Sequence, residues 1–248
     1  MAGFLFVLLH RILISINMLN FCAISDLHGQ LPDPDTFKEC DVLLICGDFV
    51  DLYIQHYNVS SRQWFIDSFL PWIARMPMKQ VFMVGGNHDG WAYKQPDELR
   101  ELCKGTKLTY LLDETAIVKD GDREIVIYGT PWCHKFGNWY FMDYTDKEMR
   151  EKVFTSMPKG IDILISHDPP HGACDVVLQK NVSWANDEHI GNKALRDAIK
   201  KKKPVMCLCG HIHSGNHEWE TLGVTKVRNV SLLNEHYILK YDPFYFEY

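Results

Sequence analysis

Three times in the first half of this chain an apolar, β-rich run ends in a polar turn that carries Asp, His or Asn. Leu19-Asn20-Phe21-Cys22-Ala23-Ile24 runs into Ser25-Asp26-Leu27-His28-Gly29. Asp41-Val42-Leu43-Leu44-Ile45-Cys46 runs into Gly47-Asp48-Phe49-Val50-Asp51. Gln80-Val81-Phe82-Met83-Val84 runs into Gly85-Gly86-Asn87-His88-Asp89-Gly90. Continuous apolar runs of this length suit strands covered on both faces, as in parallel sheets between layers. Such strands need crossover connections, so the pattern predicts an α/β fold. Open α/β sheets place ligands beyond the carboxyl ends of their strands, where these polar turns would gather.

The second half repeats the pattern. Ile161 to Ser166 reads as a strand ending in His167-Asp168-Pro169-Pro170, and Val205 to Cys209 as a strand ending in Gly210-His211-Ile212-His213. Between the second and third strands, Phe65, Ile66, Phe69, Leu70 and Ile73 recur at helical spacing; Ser60 or Ser61 is the expected cap and Pro71 the expected kink. A short helix is expected after Pro96, through Asp97 to Cys103. Leu108 to Leu112, Ile117-Val118 and Glu124 to Tyr128 read as strands of a more antiparallel region. Asn192 opens a helix with Ala194, Leu195, Ala198 and Ile199 on its apolar face. Segments 217–222, 224–230 and 236–241 read as short closing strands.

Five polar clusters thus stand at five strand ends: Asp26-x-His28, Gly47-Asp48, Gly86-Asn87-His88-Asp89, His167, and Gly210-His211-x-His213. Any one of them is an ordinary polar turn. Residues two apart on an extended strand end point the same way, so Asp26 with His28, and His211 with His213, can each offer two side chains to one cavity. Carboxylates mixed with imidazoles suit Mn, Fe, Zn or Ni rather than calcium. Two metals about 3.5–4 Å apart need a bridging ligand, and a carboxylate such as Asp48 can bridge.

The five clusters in this order resemble the calcineurin-like metallophosphoesterase superfamily over Asn20 to about Ser231. Tyr128-Gly129-Thr130-Pro131-Trp132, Phe136, Trp139 and Ile163 to Pro170 further resemble its subgroup of metallophosphoesterase-domain proteins of animal brain and their microbial relatives. The resemblance implies a four-layer αββα sandwich: two mixed β-sheets face to face, flanked by helices. It implies two divalent metal ions, manganese foremost, with Fe, Zn, Ni or Mg as the others. Asp26, His28, Asp48 and His213 would hold the first; Asp48, Asn87, His167 and His211 the second. His88 would protonate the leaving oxygen and Asp51 would orient it. Asp168 stands where many relatives have Gly, and is expected to narrow the way in without removing a ligand. The implied reaction is hydrolysis of a phosphodiester, on small or cyclic nucleotide-like substrates, by metal-activated hydroxide. Two other readings are a nuclease of the same superfamily and a non-enzymatic scaffold on the same fold. The complete ligand set and His88 speak against the scaffold.

Composition bounds the partners. The chain has 248 residues, 46% hydrophobic and 23% charged, with a net charge of -6. Phosphate-backbone binding needs Lys and Arg in excess, so no stable nucleic-acid complex is expected. The one basic run, Lys200 to Lys203, fits a helix C-terminus. The expected partner is a small phosphoester substrate, with no membrane and no obligate protein partner. None of the eight cysteines forms a C-x-x-C pair, and the pattern suggests the cytoplasm. Residues 1–17 are too short and interrupted for a spanning helix, which needs about 20 apolar residues. They read as a dispensable extension ahead of Met18, with a degenerate signal peptide as the alternative; residues 18–248 read as a single domain. His10, His56, His134, His189, His217 and His236 read as structural, whereas His171, four residues after His167, is placed to touch substrate. Trp132, Phe136, Trp139 and Tyr140 read as core rather than base-stacking residues.

Overall fold

The computed structural model describes residues 18–177 and 188–248. The expected extension, residues 1–17, lies outside them. Among the described residues, eleven strands form two mixed sheets. The first contains β1 (Asn20–Ile24), β2 (Val42–Cys46), β3 (Gln80–Val84), β4 (Leu108–Tyr110) and β11 (Phe244–Glu247), in the order β11-β1-β2-β3-β4. Its four N-terminal strands are parallel and β11 is antiparallel to β1. The second contains β5 (Glu114–Asp120), β6 (Arg123–Thr130), β7 (Ile163–Ser166), β8 (Met206–Cys209), β9 (Glu220–Leu222) and β10 (Thr225–Asn229), in the order β5-β6-β7-β8-β10-β9. Here β6, β7, β8 and β10 run parallel, with β5 and β9 antiparallel at the edges.

Side chains alternate between the two faces of each strand. Phe21, Ala23, Val42, Leu44, Phe82 and Val84 of the first sheet therefore meet Ile125, Ile127, Ile163, Ile165 and Leu208 of the second. The residues between them in sequence face outward. Cys22, Ile24, Leu43, Ile45, Val81 and Met83 pack on Phe65, Phe69, Trp72 and Leu99. Those come from a π-helical turn at Phe65–Phe69, α2 (Leu70–Arg75) and α4 (Pro96–Cys103), beside α1 (Asn58–Trp64) and α3 (Gly90–Lys94). On the far side, Leu164, Cys207 and Cys209 pack on Leu195 and Ile199 of α6 (Lys193–Lys202), beside α5 (Asp146–Glu148) and the π turn at Met149–Val153. The result is the αββα sandwich.

The departures from expectation are local. Pro71 lacks an N–H, and the chain answers with the π turn: the Leu70 N–H reaches back to the Phe65 carbonyl and the helix continues without breaking. No serine caps α1; Tyr57 stands at the N-cap, and Ser61 Oγ donates to the Ile54 carbonyl instead. The segment from Leu108 is not antiparallel: β4 pairs parallel with β3 in the first sheet. Residues 236–241 form no strand, only an isolated bridge from Leu239 to Leu233, and the last strand is β11, held by Phe246 stacked on Phe21 at 5.2 Å. Among the described residues, no helix is long and apolar enough to cross a membrane.

Leu44 is wholly buried between the two sheets. Leu44→Ala is expected to destabilise the fold by about 2–5 kcal/mol, read from the denaturant midpoint. A loss under about 1 kcal/mol would mean that the inter-sheet layer repacks freely.

Candidate dinuclear metal centre

The carboxyl ends of β1, β2, β3, β7 and β8 bring all five clusters to one rim. The turns that follow are laced together through backbone bonds: Asp26 N–H to the Gly47 carbonyl, His28 N–H to that of Asp48, and Gly210 N–H to that of His167. Four of the residues in them, Asp26, His28, Asp48 and His211, sit at positive φ, between 44° and 70°. This region is unfavourable for residues other than Gly, so the surrounding structure must hold them there. Asp26 and His28 therefore converge because the chain coils left-handedly after β1, and strand alternation is not the cause. Gly86 is needed for close approach: a Cβ there would lie 2.6 Å from the Asp48 backbone nitrogen and collide with its carboxylate.

Two ligand groups result. Asp26, His28 and His213 form one; Asp48, His167 and His211 form the other, and within each the donor atoms lie within 4.8 Å of one another. His211 and His213 thus go to different groups. Asp48 stands between them: its Oδ2 is 3.6 Å from His28 Nε2 and 3.2 Å from His167 Nε2. Asn87 Oδ1 lies 2.9 Å from His167 Nε2.

The protonation pattern tests whether cations fit. His167 Nδ1 donates to the Cys46 carbonyl and His213 Nδ1 to that of Asn234, each at 2.9 Å. In the neutral ring each Nε2 is then left with a lone pair. For His167 it faces Asn87 Oδ1 and Asp48 Oδ2; for His213 it faces Asp26 Oδ1 at 3.1 Å and His28 Nε2 at 3.3 Å. Lone pairs facing lone pairs in a buried site repel unless positive charge lies between them, and a ring proton or a bound cation can supply it. The same demand appears in the acidities. Burial alone would lower the His167 imidazole, yet Asp48 carries it up to about 10. Burial alone would raise the Asp26 and Asp48 carboxyls, yet facing imidazoles, His213 and His167 foremost, hold both below the usual carboxylate range. Burial pushes His28 down to about 3 and His211 down to about 4, leaving neutral nitrogens suited to ligation. The residues fit divalent cations with mixed nitrogen and oxygen ligands.

His88 lies beside the two groups, its Nε2 3.9 Å from Asp48 Oδ2, with Trp139 packed on its ring at 4.6 Å. Burial lowers its pKa. Asp51 does not orient it. That carboxylate turns back to accept from the Tyr53 N–H at 2.8 Å. Gln55 takes the position: its Nε2 donates to the Leu52 carbonyl at 2.9 Å, so its Oε1 faces His88 Nδ1. Nothing in the sequence marked Gln55, because it lies in the irregular turn before α1.

Other supports were equally hidden. Ser231 Oγ donates to Asp26 Oδ2 at 2.5 Å. Asp89 accepts from the N–H groups of Phe49, Val50 and Gly86, tying the turns after β2 and β3 together, while burial and the neighbouring Asp48 raise its carboxyl to about 8. Asp168 does not narrow the way in: it is fully buried and accepts from the His134 N–H and Nδ1 at 2.7 and 2.8 Å. The cavity over the two groups has a volume of 770 Å³. Phe136, Trp139 and Tyr237 form its aromatic wall and His134 lines it, so Phe136 and Trp139 are not core residues and His134 is not remote. His171 does not line this cavity; it lines a neighbouring one.

Residues 19–215, which carry both ligand groups together with Asn87 and His88, match calcineurin-like phosphoesterases. The chain belongs to that family. It is 28% identical over 217 residues to human metallophosphoesterase domain-containing protein 1, covering 79% of this chain and 60% of that one. A UPF0046 protein of Caenorhabditis elegans is 27% identical over 253 residues, covering 92% of this chain and 60% of the relative. The chain therefore spans about three fifths of the length of these relatives. Among solved structures, the phosphopantetheinyl hydrolase of Mycobacterium tuberculosis superposes with a TM-score of 0.56 at 16% identity, covering 88% of this chain and 91% of that one. For a calcineurin-like phosphoesterase the glycine contacts are as telling as the ligands. Gly86→Ala is expected to weaken manganese binding about 10–100-fold in calorimetric titration by displacing Asp48. Unchanged affinity would mean that the Asp48 carboxylate is not held from behind by this close approach.

Proposed function

We propose that this calcineurin-like phosphoesterase is a two-metal hydrolase of small phosphodiesters. One observation carries the reading: the Asp48 carboxylate stands within 3.6 Å of imidazole nitrogens from both ligand groups, His28 and His167. Asp26, His28, Asp48 and His213 would hold one cation, and Asp48, Asn87, His167 and His211 the other. The mixed donors are compatible with Mn, Fe, Zn, Ni or Mg, of which manganese is the one proposed. Bound there, the cations would neutralise phosphate charge and activate a water as nucleophile. The chain's own residues do the rest. Gln55 accepts from His88 Nδ1–H and so turns Nε2 toward the reacting centre, where the protonated ring delivers a proton to the leaving oxygen. Trp139, tilted against the ring, limits its swing.

The diester preference rests on the cavity. Among the described residues its lining holds no Lys or Arg, so it suits a substrate with one negative charge better than a dianionic monoester or a long backbone. Its aromatic wall suits an aryl or nucleobase ester group. The proposal includes no obligate protein partner. Eight free, buried cysteines support a reducing compartment, the cytoplasm.

Two substitutions separate the roles. Asp48→Asn is expected to lose more bound metal than any other single change. His88→Ala keeps its metal and turns over bis(p-nitrophenyl) phosphate about 10²–10⁴-fold more slowly. Metal loss in the His88 variant, by elemental analysis, would make that residue a ligand and overturn the assignment. Higher kcat/KM on a single-stranded oligonucleotide than on small diesters, with steep salt dependence, would replace the reading with a nuclease.

A further inference from the structure

A second cavity, of 430 Å³, adjoins the catalytic one and shares His134 and Ile190 with it. Its chemistry is different. Lys135, Lys193, His134, His171 and His189 line it, against the single carboxylate of Asp146. Two acids nearby, Asp175 and Asp197, are committed elsewhere. Asp175 is fully buried and accepts from the N–H groups of Gly172 and Gly191 and from His189 Nδ1. Asp197 is held by Arg150 and Arg196. Arg196 in turn donates to His171 Nδ1 at 3.4 Å, which leaves the Nε2–H of that ring as a hydrogen-bond donor. Within 4.0 Å, neither Lys135 nor Lys193 has a carboxylate partner among the described residues. Cations and N–H donors therefore gather in a concave space one imidazole away from the catalytic cavity, which itself holds no Lys or Arg among its described lining residues.

We infer that this neighbouring cavity is a subsite for a second anionic group on the substrate, so that the preferred diesters carry a terminal phosphate on one ester arm. The inference rests on the phosphodiesterase reading and narrows it. The scissile group, with one charge, sits over the ligand groups. The terminal phosphate reaches past His134 to Lys135 and Lys193, where paired donors recognise a dianion. The arrangement also explains why His171, in the loop after His167, sits away from the metal ligands yet presents a donor to solvent-accessible space.

The test compares thymidine 3′,5′-bisphosphate with thymidine 5′-monophosphate by calorimetric titration of the manganese-loaded protein. The bisphosphate is expected to bind about tenfold more tightly. The Lys135→Ala/Lys193→Ala double variant should abolish that preference, and the Lys135→Arg/Lys193→Arg variant should retain it. Equal affinities in the wild-type protein, or a preference that survives the alanine variant, would overturn the subsite. Hydrolysis of bis(p-nitrophenyl) phosphate, which has no terminal phosphate, is followed separately. A protein that prefers the bisphosphate but cleaves no diester keeps the subsite and loses the reaction. One that cleaves the diester without the preference keeps the reaction and loses the subsite.

Discussion

A buried carboxylate surrounded by imidazole lone pairs is the constraint on which this structure depends. Asp48 is almost wholly buried, and its Oδ1 accepts only one backbone N–H, from His88 at 2.7 Å. Its other oxygen looks toward His28 and His167. Such a group is strongly unfavourable in a protein interior unless positive charge balances it. The tautomers of His167 and His213, fixed by backbone carbonyls, turn lone pairs toward the same space and deepen the demand. Positive charge between these groups, as ring protons or as bound cations, is therefore an electrostatic requirement of the site.

The sandwich exists, in functional terms, to hold that unfavourable arrangement still. Candidate ligands come from both sheets: Asp26, His28, Asp48 and Asn87 from the first, His167, His211 and His213 from the second. The apolar layer between the sheets fixes the distance between the halves, since close-packed interiors resist sliding. Left-handed backbone at four of the clustered residues stores strain that only a firmly packed scaffold can sustain.

The parts of this arrangement that were legible in the sequence are those with a periodic or repeated signature. Apolar runs gave five strands, and the polar turns after them gave every residue of the two ligand groups together with Asn87. Unreadable were contacts made by residues distant in sequence with no pattern of their own. Gln55 replaces Asp51 beside His88 because the turn after β2 bends the Asp51 carboxylate back onto Tyr53, a matter of local backbone geometry. Asn234 and Ser231 reach the site only because the chain crosses back over β1 before β11, a strand whose place depends on tertiary pairing. Asp168, expected at the way in, is drawn inward by His134, a partner 34 residues away. Phe136 and Trp139 read as core because aromatics usually are; here they wall a cavity.

The most direct test is an anomalous difference map from crystals of the protein grown with manganese. Two peaks per chain are predicted, one among Asp26, His28 and His213 and one among Asn87, His167 and His211, with the Asp48 carboxylate between them. A single peak, or peaks that leave Asp48 without a metal contact, would contradict the account.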